Sequence, residues 1–350
     1  MLRCLSVLCL VLAAAPAEAQ NPVVPANAKP ELVFDGGAVL TEGVVSAPDG
    51  MIYFSDITFT HANKEKGLPL EAGHIWKYNP KTGKTSIFRS PSGMSNGIKF
   101  DAEGNMIVAE GADFGGRRVI KTDMKTGKSY IIAGLFEGKP FNSPNDITID
   151  EKGRIYFSDP RYVGHEPIEQ PVQAVYRIDP PSPPLEKGGM GGYTIHRIIT
   201  DAGKCNGVLV SPDQKTMYVV SNENGSFGIG RIPKEAPLRK GLMALLAYDL
   251  ASDGTAKFRK VFVDYAPQDG PDGLVCDVEG NLYVATRDET RPGITVYNPD
   301  GKEIAYIKTE MPTNVGFGRG ADANLLYITA GHSLYRIRLN KAGYQLPAKK

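Results

Sequence analysis

Glu42 to Asp56 reads EGVVSAPDGMIYFSD, and Asn145 to Asp159 reads NDITIDEKGRIYFSD. Both stretches open on an acid or amide. Both then run through largely apolar residues into a polar turn, with Gly50 or Gly153 in the same place, and end in an aromatic strand. Four more stretches share the pattern: NGIKFDAEGNMIVAE from Asn96, NGVLVSPDQKTMYVVS from Asn206, DGLVCDVEGNLYVAT from Asp272 and NVGFGRGADANLLYIT from Asn314. Gly104 and Gly280 repeat the glycine, while Gln214 and Asp322 stand there in copies with a longer turn. Strand, short turn and strand make a β-hairpin. A second pair of strand-like runs follows, as in IWKYNPKTGKTSIFRS (75–90), VIKTDMKTGKSYIIAG (119–134) and ITVYNPDGKEIAYIKT (294–309).

Six units of four strands predict about 24 short strands, at a spacing near the 40–50 residues of propeller blades with loop insertions. The expected fold is all-β: a six-bladed β-propeller of four-stranded antiparallel blades around a central channel, over residues 31–340. The last unit lacks an outer strand, and ELVFDG (31–36) is placed to supply it and close the ring. An open solenoid or a pair of β-sandwiches is the rival. Ring closure leaves only short, protected edges, and a sandwich gives no reason for each unit to open on the same residue class.

The composition agrees. Gly 39 and Pro 26 in 350 residues, with Tyr 16 and Phe 13, suit a turn-rich, strand-rich chain. Lys+Arg 40 against Asp+Glu 39 leave a net charge of +1, which offers no electrostatic footprint for nucleic acid or anionic lipid. Residues 1–19, MLRCLSVLCLVLAAAPAEA, combine Arg3, an apolar run and a small-x-small site, and so predict a signal peptide cut after Ala19. Residues 20–30 are expected to form an extended lead-in and 341–350 a short tail. The expected localisation is secreted or periplasmic, without a membrane span, as a monomer or weak dimer. Of the four cysteines, Cys205 and Cys276 lie beyond the signal. Their five-residue offset on neighbouring inner strands is about 16 Å, at roughly 3.3 Å per residue. That exceeds disulfide reach, so two buried free thiols are expected.

Innermost strands of a propeller begin beside the channel on one face. The opening residues Glu42, Asn96, Asn145, Asn206, Asp272 and Asn314 therefore form a ring. Carboxylate and amide oxygens without a soft ligand suit a hard divalent cation, Ca²⁺ above others. Asn-Gly and Asp-Gly are also ordinary turn dipeptides, but Glu42 is a poor turn former. The expected metal ligands are Glu42, Asn206, Asp272 and Asn145, with Asn96 and Asn314 either supporting those ligands from behind or contacting substrate. Strand-end acids Asp56, Glu110 and Asp159 either order substrate hydroxyls or cap loops. The connections 57–74, 160–174 and 222–243 are long for hairpins. His61, His74, His165 and His332 fall in connections, as proton shuttles or surface residues. Of Arg117 and Arg118, one is expected inward and one toward solvent.

These residues resemble the SMP-30/gluconolactonase family of six-bladed propellers over about residues 31–340. The resemblance is carried by TEGVV with YFSDI, FEGKPFNSPNDITID with YFSDP, CNGVLVSPD, PDGLVCDVEGNLYVA, and MPTNVGFG followed by LYITAGHSLYRI. It implies one Ca²⁺ in the channel, held by Glu42, Asn206 and Asp272, with Asn145 a further ligand or substrate contact. It also implies hydrolysis of a sugar lactone, or of another ester or phosphotriester. The family's His-Gly-Asn-Arg-Arg run after the second blade's acid is absent: Glu110 is followed by GADFGGRRV. The expected reaction is lactone opening by a channel water. Asp272 is the leading proton acceptor, with Asp159 and Glu110 as alternatives, and Asn96, Asn145, Glu110 and Asp159 are expected as substrate contacts. No Gly-x-Ser-x-Gly elbow is present, which argues against a covalent serine. The alternative is a secreted propeller that binds a sugar or a protein and carries a structural Ca²⁺.

Overall fold

The computed structural model describes residues 23–58, 64–67, 72–181, 192–225 and 240–347. The expected signal peptide, its cleavage site and His61 lie outside the described residues. Strand β1 (Glu31–Asp35) precedes the first blade, β2 (Leu40–Ser46), β3 (Ile52–Ile57), β4 (His74–Asn79) and β5 (Lys84–Arg89). The second blade is β6 (Ser95–Phe100), β7 (Met106–Glu110), β8 (Arg118–Thr122) and β9 (Ser129–Ala133). A small hairpin, β10 (Leu135–Phe136) with β11 (Lys139–Pro140), leads into the third blade of β12 (Ile147–Ile149), β13 (Ile155–Asp159), β14 (Ala174–Asp179) and β15 (Thr194–Ile199). The fourth is β16 (Cys205–Val210), β17 (Thr216–Asn222), β18 (Met243–Leu250) and β19 (Ala256–Asp264). The fifth is β20 (Leu274–Cys276), β21 (Leu282–Thr286), β22 (Gly293–Tyr297) and β23 (Glu303–Lys308). The sixth is β24 (Pro312–Phe317), β25 (Leu325–Ala330) and β26 (Ser333–Arg338), completed by β1 on its outside. The six-bladed propeller expected from the repeat is thus the observed architecture, with the ring closed by the strand the sequence placed there.

Inner strands are buried and outer strands half-exposed, because neighbouring blades cover both faces near the axis. β16 is buried throughout, whereas every residue of β5 is exposed or half-buried. Between blades lie apolar layers. In one, the Phe141 ring meets Phe157 and Tyr176 edge-on, both at 5.1 Å. The shared glycine of the hairpin turns has a physical cause: φ is 82° at Gly50 and 78° at Gly153, which a side chain disfavours. Gln214 accepts the same left-handed conformation, at φ 61°.

The glycine that follows four of the six ring residues serves something other than a turn. A Cβ on Gly97 would lie 2.7 Å from the Asn145 carbonyl oxygen, and one on Gly207 would lie 2.5 Å from that of Asp272. These glycines let the backbones of adjacent blades approach at the channel wall. The third and sixth blades break the rule, with Asp146 and Val315.

Cys205 and Cys276 are free and buried, as expected. His74 begins β4 and is buried rather than lying in a loop. The segment from Lys341, expected as a tail, is instead strapped across the channel end away from the ring. The Tyr344 amide donates to the Cys276 carbonyl (3.0 Å), and the Gly343 amide to that of Ala323 (2.8 Å). The Tyr344 hydroxyl reaches Glu151 (2.9 Å), and Tyr344, Gln345 and Leu346 line the small chamber beneath, beside Cys276. Blades three, five and six are thereby tied together. Deleting residues 341–350 is expected to make Cys276 react with a thiol reagent in the folded protein, while Cys205, enclosed between blades, stays protected. Thiol titration with mass mapping checks this; an unreactive Cys276 would mean that the strap is not its cover.

Candidate functional site

The first turn of each inner strand delivers a polar side chain to one mouth of the channel. Glu42, Asn96, Asn145, Asn206 and Asp272 all line a single cavity of about 340 Å³. Five of the six ring residues are therefore brought together. Asn314 is not among the lining residues: its Oδ1 accepts from the Val315 amide (2.9 Å), and its side chain hydrogen-bonds Asp146. The remaining wall is divided. Leu40, Ile57, Met94 and Val163 contribute apolar lining, while Asn222, Asn224 and Arg287 add polar lining.

The floor is electrostatically costly. Burial raises the Glu42 carboxyl well above the usual carboxylate range, and the negative charge of Asp272 adds to the shift. Burial also raises Asp272, offset mainly by the Arg287 guanidinium. Asp146 adds a third buried carboxylate; it accepts from the Val208 amide at 3.2 Å, and burial pushes it up as well. Arg287 Nη1 donates to Asp272 Oδ2 (3.2 Å) and to the Pro312 carbonyl (3.2 Å). Beside these acids, the Oδ1 atoms of Asn96 and Asn206 are buried and accept no hydrogen bond within the protein. A buried amide oxygen without a donor is unfavourable, and buried carboxylates need a counter-charge. A hard divalent cation answers both needs, so this donor set fits Ca²⁺. Among the described residues no group of three or more His, Cys, Asp and Glu side chains is arranged to hold a metal ion, so amide oxygens must complete any coordination here.

The strand-end acids do other work. Glu110 and Asp159, expected as substrate contacts, are not among the residues that line this cavity. The Asp159 carboxylate accepts backbone N–H bonds from Asn142 (2.8 Å) and Ser143 (2.7 Å), which fixes the loop carrying Asn145. Burial nevertheless raises its pKa to about 7, although those bonds and the nearby Arg161 and Arg117 oppose the shift. Glu110 accepts from Arg118 Nε at 2.6 Å and faces a separate groove on the second blade. Asp56 likewise accepts from the Ala38 amide (2.7 Å) and from Trp76 Nε1 (3.0 Å). All three acids anchor segments of the fold. Arg117 is the inward arginine, bonded to the Phe141 carbonyl and Glu169, and Arg118 is the more exposed. None of the described histidines lines the cavity; the His165 ring lies tilted against Phe114, and His332 meets the Gly37 carbonyl.

Sequence reasoning missed Asp146, Arg287 and Tyr162. Asp146 was signalled by its place in the repeat, where Gly43, Gly97, Gly207 and Gly273 stand in other blades. Arg287 was signalled only by its place after a strand end. Tyr162 lines the cavity, with its hydroxyl 3.2 Å from the Asn222 carbonyl and the Lys204 ammonium over its ring. It lies in a loop without a repeat to point to it.

Residues 40–332 match the family model described as the SMP-30/Gluconolactonase/LRE-like region. A gluconolactonase of Zymomonas mobilis is 28% identical over 295 residues, which is 76% of this chain and 72% of that protein. A gluconolactonase from Xanthomonas campestris superposes with a TM-score of 0.69 at 23% identity, over 90% of each chain. The calcium-binding protein regucalcin from Agrobacterium tumefaciens superposes with a TM-score of 0.64 at 18% identity, over 91% of this chain and 96% of that one.

Proposed function

Because the chain belongs to the SMP-30/gluconolactonase/LRE-like family, we propose that it is a secreted, Ca²⁺-dependent lactonase that opens a sugar lactone by hydrolysis. The observation that carries this reading is the cavity floor, where two carboxylates meet buried amide oxygens that have no donor. Glu42, Asn206 and Asp272, with Asn145 as a fourth, would hold the cation, and a bound divalent ion there supplies Lewis-acid polarisation of a carbonyl and stabilisation of its oxyanion. Asp272 is the side chain assigned to accept the proton of the attacking water. The water oxygen bonds to the carbonyl carbon, the ring C–O bond breaks, and the proton passes to the leaving alkoxide, giving a hydroxy acid. Asn96 and Asn145 hold substrate oxygens from the second and third blades. Leu40, Ile57, Met94 and Val163 exclude bulk water from one side of the substrate. The relatives named for lactone hydrolysis support the reaction class, and regucalcin's description supports the choice of ion. Export by residues 1–19 belongs to the same proposal, with N-terminal sequencing of the exported protein as its check.

Acid release from glucono-1,5-lactone and a panel of other lactones, in Ca²⁺, in EDTA and with Ca²⁺ restored, tests it. Turnover lost and regained is the expected result. Absence of turnover on every lactone by the Ca²⁺-loaded protein would overturn the enzyme reading. A Ca²⁺-dependent rise in melting temperature without turnover would point to a binding propeller with a structural ion.

A further inference from the structure

Among the described residues that line the cavity, Arg287 is the only lysine or arginine. It follows β21 on the fifth blade and reaches back to the carboxylate that opens that blade. Its Nη1 is 3.2 Å from Asp272 Oδ2 and 3.2 Å from the Pro312 carbonyl, and its side chain remains 28% exposed. Its charge opposes the burial of Glu42 as well as of Asp272. Two buried acids, Glu42 and Asp272, thus share this counter-ion, while the third, Asp146, is opposed by Lys99 from the chamber beneath. A carboxylate that is paired to a guanidinium and also expected to ligate a cation has two competing partners. Only one of those partners is tethered.

We propose that Arg287 is a displaceable counter-ion of the carboxylate ring: it neutralises Asp272 in the cation-free protein and yields that carboxylate when a divalent cation binds. The consequence is a lowered cation affinity, set by the work of moving the guanidinium aside. The tethered charge also holds the ring together when no cation is present. This proposal rests on the reading that the ring takes a divalent cation. Arg287 is in this sense a positioning residue, acting through Asp272 and not on the reacting atoms.

Arg287→Met removes the charge and keeps much of the bulk; Arg287→Lys keeps the charge. Ca²⁺ binding to the full-length proteins is measured by calorimetry, and melting temperature is followed in EDTA and in Ca²⁺. Arg287→Met is expected to bind Ca²⁺ more tightly than wild type, by on the order of tenfold, within the usual range of coupling between sites. In EDTA it is expected to melt below wild type, so its gain on adding Ca²⁺ is larger. Arg287→Lys is expected to stay close to wild type in both readouts. Damage to the site would weaken binding, so a gain in affinity separates competition from a merely structural role. If wild type binds Ca²⁺ and Arg287→Met binds it equally or more weakly, the counter-ion proposal is overturned while the metal site stands. If wild type binds no divalent cation by either measurement, the metal reading fails and this proposal fails with it.

Discussion

Asp272→Asn is expected to lower kcat/KM for lactone hydrolysis by about 10³, within the span usual for losing a positioned proton acceptor. The substitution preserves volume and the Pro-Asp-Gly backbone, so the inner strand and its neighbour's close approach are undisturbed. It exchanges a carboxylate for an amide that has one acceptor and two donors. The amide oxygen can keep one of the two groups that donate to Asp272, Arg287 and the Asn206 side chain, but the new N–H donors no longer offer the second acceptor that the carboxylate provided. Proton acceptance is lost and the cation's charge complement is reduced. Glu42→Gln separates the two effects, because it weakens the ring's charge and leaves Asp272 intact. Saturating Ca²⁺ is expected to restore much of the turnover of Glu42→Gln and little of that of Asp272→Asn. Equal recovery in both would remove Asp272 from the role of base and leave it a ligand only.

Asp159→Ala is expected to destabilise the fold by about 2–5 kcal/mol, because the backbone N–H groups of Asn142 and Ser143 would be left buried without an acceptor. Both bonds are short and the carboxylate is fully buried. The loop they fix also carries Asn145, and the Ser143 hydroxyl accepts from the Ala112 amide at 2.9 Å. Loss of stability should therefore be accompanied by weaker substrate binding, although Asp159 is not among the cavity-lining residues. Its pH dependence has a defined sign. A folded pKa of about 7 lies above the unfolded carboxylate value. The contribution of this group to stability is thus fully present below about pH 4 and declines as pH rises through about 7. Asp159→Asn cannot titrate there. The difference in unfolding free energy, wild type minus Asp159→Asn, should fall across that interval in chemical denaturation; a flat difference would mean that the carboxyl is ionised throughout.

The blades and the ring face could be read from the chain because both are repeats. Alternation, turn residues and one opening residue recur, and an error in one copy is corrected by the other five. β1 was legible because the sixth unit was short by one strand. The direction in which a strand-end acid turns was not legible. Glu110 and Asp159 sit at equivalent positions, yet one is drawn to an arginine and the other to two backbone amides. Arg118 opens β8 directly across from Glu110, whereas Asn142 and Ser143 lie on a loop whose course no local pattern specifies. Asp146 was hidden for the opposite reason, since attention to what the copies share passes over a copy that differs. The strap from Lys341 is held by scattered contacts to blades three to six, and such contacts leave no periodic trace.

The pairing of Glu31 with Arg336 joins residues 305 positions apart. During synthesis the first strand of the ring must wait, unpaired, until nearly the whole chain has left the ribosome. Until then two open edges are available to any other chain, and a stalled or concentrated population has a ready route to exchange, in which one molecule's Glu31–Asp35 completes its neighbour's last blade. The same seam that makes the finished ring free of long edges is therefore the step at which its assembly is most exposed to error.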